Sequence, residues 1–211
     1  MATRRDFMKM TALAGGVVAG SSVSNSALAG LPEPVSQTSP DTMDPLQPHD
    51  GSHPYNPVVT LNGWSLPYRM NKGFKEFHLV AEPVVRELAP GMEANLWGYN
   101  GQSPGPTIEV VEGDKVRIFL TNRLPEHTSM HWHGQRLPNG MDGVAGLNQP
   151  AVMPGKTFVY EFKAKRPGTF MYHPHADEMT QMAMGMMCFW VTNPRTKHPW
   201  ISEVDRDYCI L

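Results

Sequence analysis

Two short motifs in this 211-residue chain place histidines two apart, His131-Trp132-His133 and His173-Pro174-His175. On a strand, residues i and i+2 point to the same face, and each pair spans about 6.6 Å at a rise of ~3.3 Å per residue. Four imidazoles at neighbouring strand ends would then project into one shared volume. Such crowding makes chemical sense if each ring donates a nitrogen to a cation. Neutral imidazole suits copper, zinc and iron, whereas hard ions want oxygen. The i, i+2 spacing also lets one pair reach two adjacent metals instead of chelating one. A lone histidine on a strand is usually structural, and one H-x-H is weak. Two of them, each beside an aromatic residue, are much harder to obtain by accident.

Strands must position these residues. Twenty prolines, nineteen glycines and many Val, Thr and Phe favour strands and turns over helices. Glu76–Val85, Asn95–Gly101, Thr107–Val111, Lys115–Leu120, Met130–His133, Thr157–Phe162, Gly168–His173 and Cys188–Val191 read as short strands, separated by Gly, Pro, Asn and Asp. That pattern predicts an all-β sandwich or barrel. Val116 and Ile118 alternate with Lys115 and Arg117 as a half-buried strand requires, and Trp132, between two candidate ligands, should face the core. Tyr172 and Pro174 should fix the backbone of their pair. Asp207–Leu211 reads as the opening strand of something new, with no partner strand in the chain.

The flanks carry other information. Arg4-Arg5, the apolar run Thr11–Gly20 and Ala27-Leu28-Ala29 form a twin-arginine export signal over residues 1–29, too short and glycine-rich for a membrane span of ~20 apolar residues. Residues 30–72 read as a Pro-rich extended leader, in which His49 and His53 are solvated loop residues. A formal net charge of −2 supplies no basic patch for nucleic acid and no polybasic stretch for a membrane surface. Cys188 and Cys209 are the only cysteines. Export permits a disulfide, but the strand position of Cys188 argues against one. Met179, Met182, Met184, Met186 and Met187 crowd the stretch after His175. Thioethers favour Cu(I), yet buried packing before the closing strand is the better reading.

Several of these motifs together resemble the first cupredoxin domain of laccase-like multicopper oxidases. Asn100-Gly101-Gln102-Ser103-Pro104-Gly105-Pro106-Thr107-Ile108 is similar to the N-G-x-x-P-G-P-x-I entry of that domain, and Gly113-Asp114-Lys115-Val116 to its G-D-x-V strand start. His131-Trp132-His133-Gly134, Asn139-Gly140-Met141-Asp142-Gly143-Val144 and Tyr172-His173-Pro174-His175 complete the likeness over residues 74–195. The resemblance implies a Greek-key β-sandwich of cupredoxin type over residues 73–195, with 196–211 as linker and start of a second domain. It implies that His131 ligates a type 2 copper and that His133, His173 and His175 ligate paired type 3 coppers. Dioxygen is reduced to water at that cluster, with electrons from a phenolic or low-valent metal-ion reductant. Asp142, by itself a turn aspartate, would stand near the cluster and help deliver protons. The family's type 1 copper motifs, H-P-x-H-x-H and H-C-H, are not in this sequence, so that copper is expected in C-terminal cupredoxin domains beyond it. A free-standing chain should not turn over. The alternative is a periplasmic cupredoxin that binds and sequesters copper without catalysis.

Overall fold

The computed structural model describes strand positions 35–36 and 59–60, residues 65–196 and residues 208–211. The export signal, His49, His53 and most of the segment after residue 196 lie outside the described residues. In chain order the strands are β1 (Val35–Ser36), β2 (Val59–Thr60), β3 (Arg69–Asn71), β4 (Phe74–Ala89), β5 (Met92–Tyr99), β6 (Ile108–Val111), β7 (Lys115–Asn122), β8 (His131–Trp132), β9 (Thr157–Lys163), β10 (Gly168–His173), β11 (Cys188–Asn193) and β12 (Tyr208–Cys209). One sheet runs β1-β4-β7-β9, with β3 and β5 also paired to β4. A second runs β6-β11-β10-β8, and β12 pairs with β2 in a separate two-stranded sheet. The chain passes repeatedly between the two sheets, which makes the expected all-β Greek-key sandwich.

The alternation in β7 is as the sequence predicts: Val116, Ile118 and Leu120 are buried while Lys115 is exposed. These residues join Phe77, Leu79, Tyr160 and Phe162 of the same sheet. Across the interface they meet Ile108, Val110, Trp132, Tyr172 and Trp190 in a single core. Trp132 stands at its centre, 5.2 Å from the Tyr160 ring, 5.4 Å from Trp190 and 5.6 Å from Phe162. Burying an indole of this kind removes ~150–250 Å² from water, roughly 4–6 kcal/mol as an upper figure.

On the opposite face of the first sheet, side chains of alternating charge form a row across four strands. The register aligns Arg69 with Glu76, Glu76 with Arg117, and Arg117 with Glu161. Glu76 is buried and accepts from Arg117 at 2.6 Å, Arg69 at 2.8 Å and Asn71 at 2.9 Å, and Arg117 also pairs with Glu161. Arg117, followed by Arg69 and Asn71, holds the Glu76 carboxyl down at about 2 against the opposing effect of its burial.

Two expectations are corrected. Tyr208–Cys209 does have a partner strand, since it pairs in parallel with Val59–Thr60, and Cys209 is buried beside Phe189 and Val191. The methionine-rich segment is not uniformly buried. It begins as a short helix, α1 (Glu178–Ala183), whose one buried side chain is Gln181, leaving Met179 87% exposed. Only Met186 of the five is fully buried. The polar partners of Gln181 decide which face of α1 turns inward. Among the described residues no helix is long and apolar enough to cross a membrane.

Candidate metal centre

The antiparallel pairing of β8 and β10 brings the two histidine motifs together. Its register sets His173 opposite His131 and Tyr172 opposite Trp132, so both aromatics face the core and both histidines face the other way. The Tyr172 hydroxyl donates to the Pro106 carbonyl at 2.5 Å, and the Met130 N–H donates to the Tyr160 hydroxyl at 2.9 Å. Each motif is thereby pinned to the sandwich beside its first histidine. The His131 ring centroid lies 5.5 Å from that of His133, 5.3 Å from His173 and 5.4 Å from His175.

Donor nitrogens of His131, His133 and His173 all lie within 4.8 Å of one another. The second nitrogens of two of these rings are already engaged. His131 Nδ1 donates to the Asp142 carbonyl at 2.7 Å, and His173 Nδ1 to the Pro174 carbonyl at 2.9 Å. A carbonyl can only accept, so both rings carry the proton on Nδ1 and present an Nε2 lone pair. His133 Nδ1 faces His173 Nε2 at 3.3 Å. Burial of the His173 ring, reinforced by His131 and His133, lowers its affinity for a proton, while the Pro174 carbonyl and Glu178 act the other way. The net effect favours the neutral, ligating form.

Asp142 lies beside the histidines, as the family resemblance implies, but its backbone makes the shorter contact. Its Oδ1 lies 3.5 Å from His131 Nδ1, farther than its carbonyl, and Asn148 Nδ2 reaches its Oδ2 at 3.4 Å. The turn Asn139–Met141 delivers it, and Gly143 allows the close approach. Gly143 has a φ of +85°, and a Cβ there would sit 1.7 Å from the Met130 carbonyl oxygen.

His175 stands apart from the close trio. Its N–H donates to Ser129 Oγ at 3.2 Å, and its Nε2 lies 3.4 Å from Glu178 Oε2. Glu178 Oε1 is also 3.7 Å from His173 Nδ1. Sequence reasoning missed both Ser129 and Glu178. Neither offered a signal, because the helix begins only at Glu178 and Ser129 lies 46 positions from His175. Cys188, unexplained by sequence, is a buried thiol against Gly105, where a Cβ would come within 2.4 Å of its Sγ. Burial pushes its pKa up and makes it a packing residue.

The sequence pattern of the multicopper oxidase family matches residues 81–197. The chain belongs to the multicopper oxidase family. It is 46% identical over 147 residues to copper resistance protein A of Escherichia coli, an overlap of 70% of this chain and 24% of that protein. With the L-ascorbate oxidase of Cucurbita pepo var. melopepo it shares 48% identity over 91 residues, 41% of this chain and 16% of the relative. The solved multicopper oxidase of Pseudomonas Thermotolerans is similar with a TM-score of 0.57 and 37% identity, covering 67% of this chain and 31% of that one. The fold is thus that of the cupredoxin domains of multicopper oxidases. Against these two curated relatives the chain spans a quarter or less of their length.

The donor set fits copper. It is all imidazole, with two Nε2 lone pairs directed by carbonyl-bound Nδ1–H groups, the outer support that orients metal-bound histidines. With His173 Nε2 as acceptor, the His133 Nδ1–H donates to it at 3.3 Å, which holds the third imidazole in the same group.

Proposed function

We propose that this chain is the first cupredoxin domain of an exported multicopper oxidase, and that His131, His133, His173 and His175 supply half the ligands of its trinuclear copper cluster. The observation that carries the reading is the convergence of three imidazole donors within 4.8 Å, with His175 on the same rim. In this assignment His131 serves a type 2 copper and the other three serve the type 3 pair. Copper, when bound, carries electrons from a phenolic or low-valent metal-ion reductant to dioxygen. The chain's own residues orient and insulate. The Asp142 carbonyl and the Pro174 carbonyl keep protons on the Nδ1 atoms of His131 and His173, leaving Nε2 for the metal. The Asp142 carboxylate, 35% exposed and 3.5 Å from the His131 ring, is placed to pass a proton between solvent and the cluster. Trp132, Tyr172 and Trp190 close the core side to water.

The remaining ligands and the type 1 copper belong, in this reading, to C-terminal cupredoxin domains, as the partial coverage of the relatives supports. Residues 1–29 direct the protein through the twin-arginine route to the periplasm, 30–72 form the leader, 73–195 the domain, and 196–211 the passage to the next domain. The test is His133→Ala in the full-length oxidase. Oxygen reduction should vanish while the blue absorbance of the type 1 copper persists; undiminished turnover would refute the assignment.

A further inference from the structure

Asn139 and Gly140 open the turn that presents Asp142 to His131, and both are exposed. An asparagine followed by glycine sets an electrophilic side-chain amide beside a main-chain nitrogen that no side chain shields. Attack of the Gly140 nitrogen on Asn139 Cγ forms a five-membered imide and expels the amide nitrogen as ammonia. Water then opens the imide at either carbonyl. One opening leaves an ordinary aspartate; the other leaves an isoaspartate, whose main chain runs through the former side chain. The balance is one water consumed and one ammonia released, with no oxidant or cofactor.

Two Asn-Gly pairs fall among the described residues, and the fold holds them differently. Asn100 is locked: its Nδ2 donates to the His78 carbonyl at 3.0 Å, and its Oδ1 accepts from the Val80 N–H at 2.8 Å. Attack there requires breaking both bonds. Among the described residues, no hydrogen bond holds the Asn139 side chain or the Gly140 N–H. Ring closure does need Asn139 to leave its helical dihedrals. That opening is easy, because the turn is three residues of 3-10 helix and none of them is buried. A Cβ built on Gly140 would meet nothing within 4 Å, so the surrounding chain does not obstruct the ring.

The place of this pair gives the reaction a consequence. The Asn139 carbonyl accepts the Asp142 N–H at 3.1 Å and so closes the turn. The Asp142 carbonyl in turn holds the proton on His131 Nδ1 at 2.7 Å. In the isoaspartyl form the main chain gains one carbon between these two residues, and the Asn139 carbonyl becomes a free carboxylate outside it. The closing bond loses its geometry, and the Asp142 carbonyl loses its register on the ring. The Met141 sulfur accepts the Glu161 N–H at 3.3 Å and keeps the turn against β9, so the change stays local.

We propose that Asn139-Gly140 is a self-modifying site, which converts to isoaspartate by reaction with water, and that the product releases His131 from its fixed tautomer. The reaction needs no metal, so it stands or falls apart from the copper reading.

The experiment keeps the complete 211-residue chain for days in mildly alkaline, metal-free buffer beside an unfolded peptide of residues 136–144. Both are then mapped by mass spectrometry with isoaspartyl methyltransferase labelling. Asn139 should convert at a rate within a few-fold of the peptide, while Asn100 stays intact. Gly140→Ala, which the open space at that position tolerates, should slow conversion several-fold. Nitrogen NMR of the His131 ring reads the tautomer in the isoaspartyl fraction, separated by its added negative charge. Fresh chain and fresh Asn139→Asp, which has the charge without the longer main chain, should show Nδ1–H alone. The isoaspartyl fraction should show both tautomers with the dispersion of its core resonances kept. Conversion of the peptide with an intact Asn139 in the folded chain overturns the site, as does equal conversion of Asn100. An unchanged His131 ring in the isoaspartyl fraction overturns the link to the histidines, and collapse of its core resonances overturns a local effect.

Discussion

At the residue scale, the division of labour within Asp142 has consequences for experiment. Its carbonyl fixes the tautomer of His131 at 2.7 Å, and its carboxylate stands 3.5 Å from the same ring. A side-chain substitution therefore leaves the ring's main anchor in place. In the full-length oxidase, Asp142→Asn should keep copper content near normal and slow water formation by about 10²-fold, the scale of a lost general acid. Copper analysis with oxygen-electrode rates across pH checks this, and an unchanged rate at every pH removes the proton-delivery role. Period-two spacing marks the four histidines as candidates, whereas Asp142, by itself a turn aspartate, is singled out only through the family resemblance. Ser129 and Gln181 are not legible, because their contacts span 46 to 55 positions of chain, and Glu178 is not, because it opens a helix of only six residues.

At the scale of elements, the charged row across β3, β4, β7 and β9 turns sheet register into acid sensitivity. Glu76 is held at about 2 against an ordinary 4.5, chiefly by Arg117. A depressed carboxyl stabilises the fold fully above its unfolded value, and that contribution fades as pH falls from about 4.5 to about 2. Glu76→Gln should lower the thermal midpoint at neutral pH and flatten its decline across that acid window. Thermal melts at a series of pH values measure both; identical acid profiles would show that the row adds nothing. The sequence anticipates strands over most of this sheet, since the alternation in Lys115–Leu120 is explicit. It leaves Tyr208–Cys209 unpartnered because a parallel pairing with Val59–Thr60 joins residues about 150 positions apart, which no local pattern encodes. It also points to a buried methionine run, where the hydrogen bonds of Gln181 turn another face inward.

For the molecule as a whole, the imidazoles described here amount to half a cluster in the proposed enzyme, and the sequence holds neither H-C-H nor H-P-x-H-x-H. The chain alone should take up copper yet consume no dioxygen when supplied with a phenolic reductant. Oxygen-electrode traces of the copper-loaded chain would decide this; sustained consumption would mean that the centre works without further domains. Fold class and family were both readable in advance, because turn motifs and paired histidines lie along one continuous stretch.

The indole of Trp132, lodged between two donors and pointing away from them, gives the strand a means of proofreading. A one-residue slip of β8 would turn the ring toward water and both imidazoles into the hydrocarbon interior. Such a misaligned chain forfeits the aromatic cluster around that ring before any ion is encountered. Correct presentation of the two imidazoles is thereby tied to burial of the indole by oil and water alone, with no ion required.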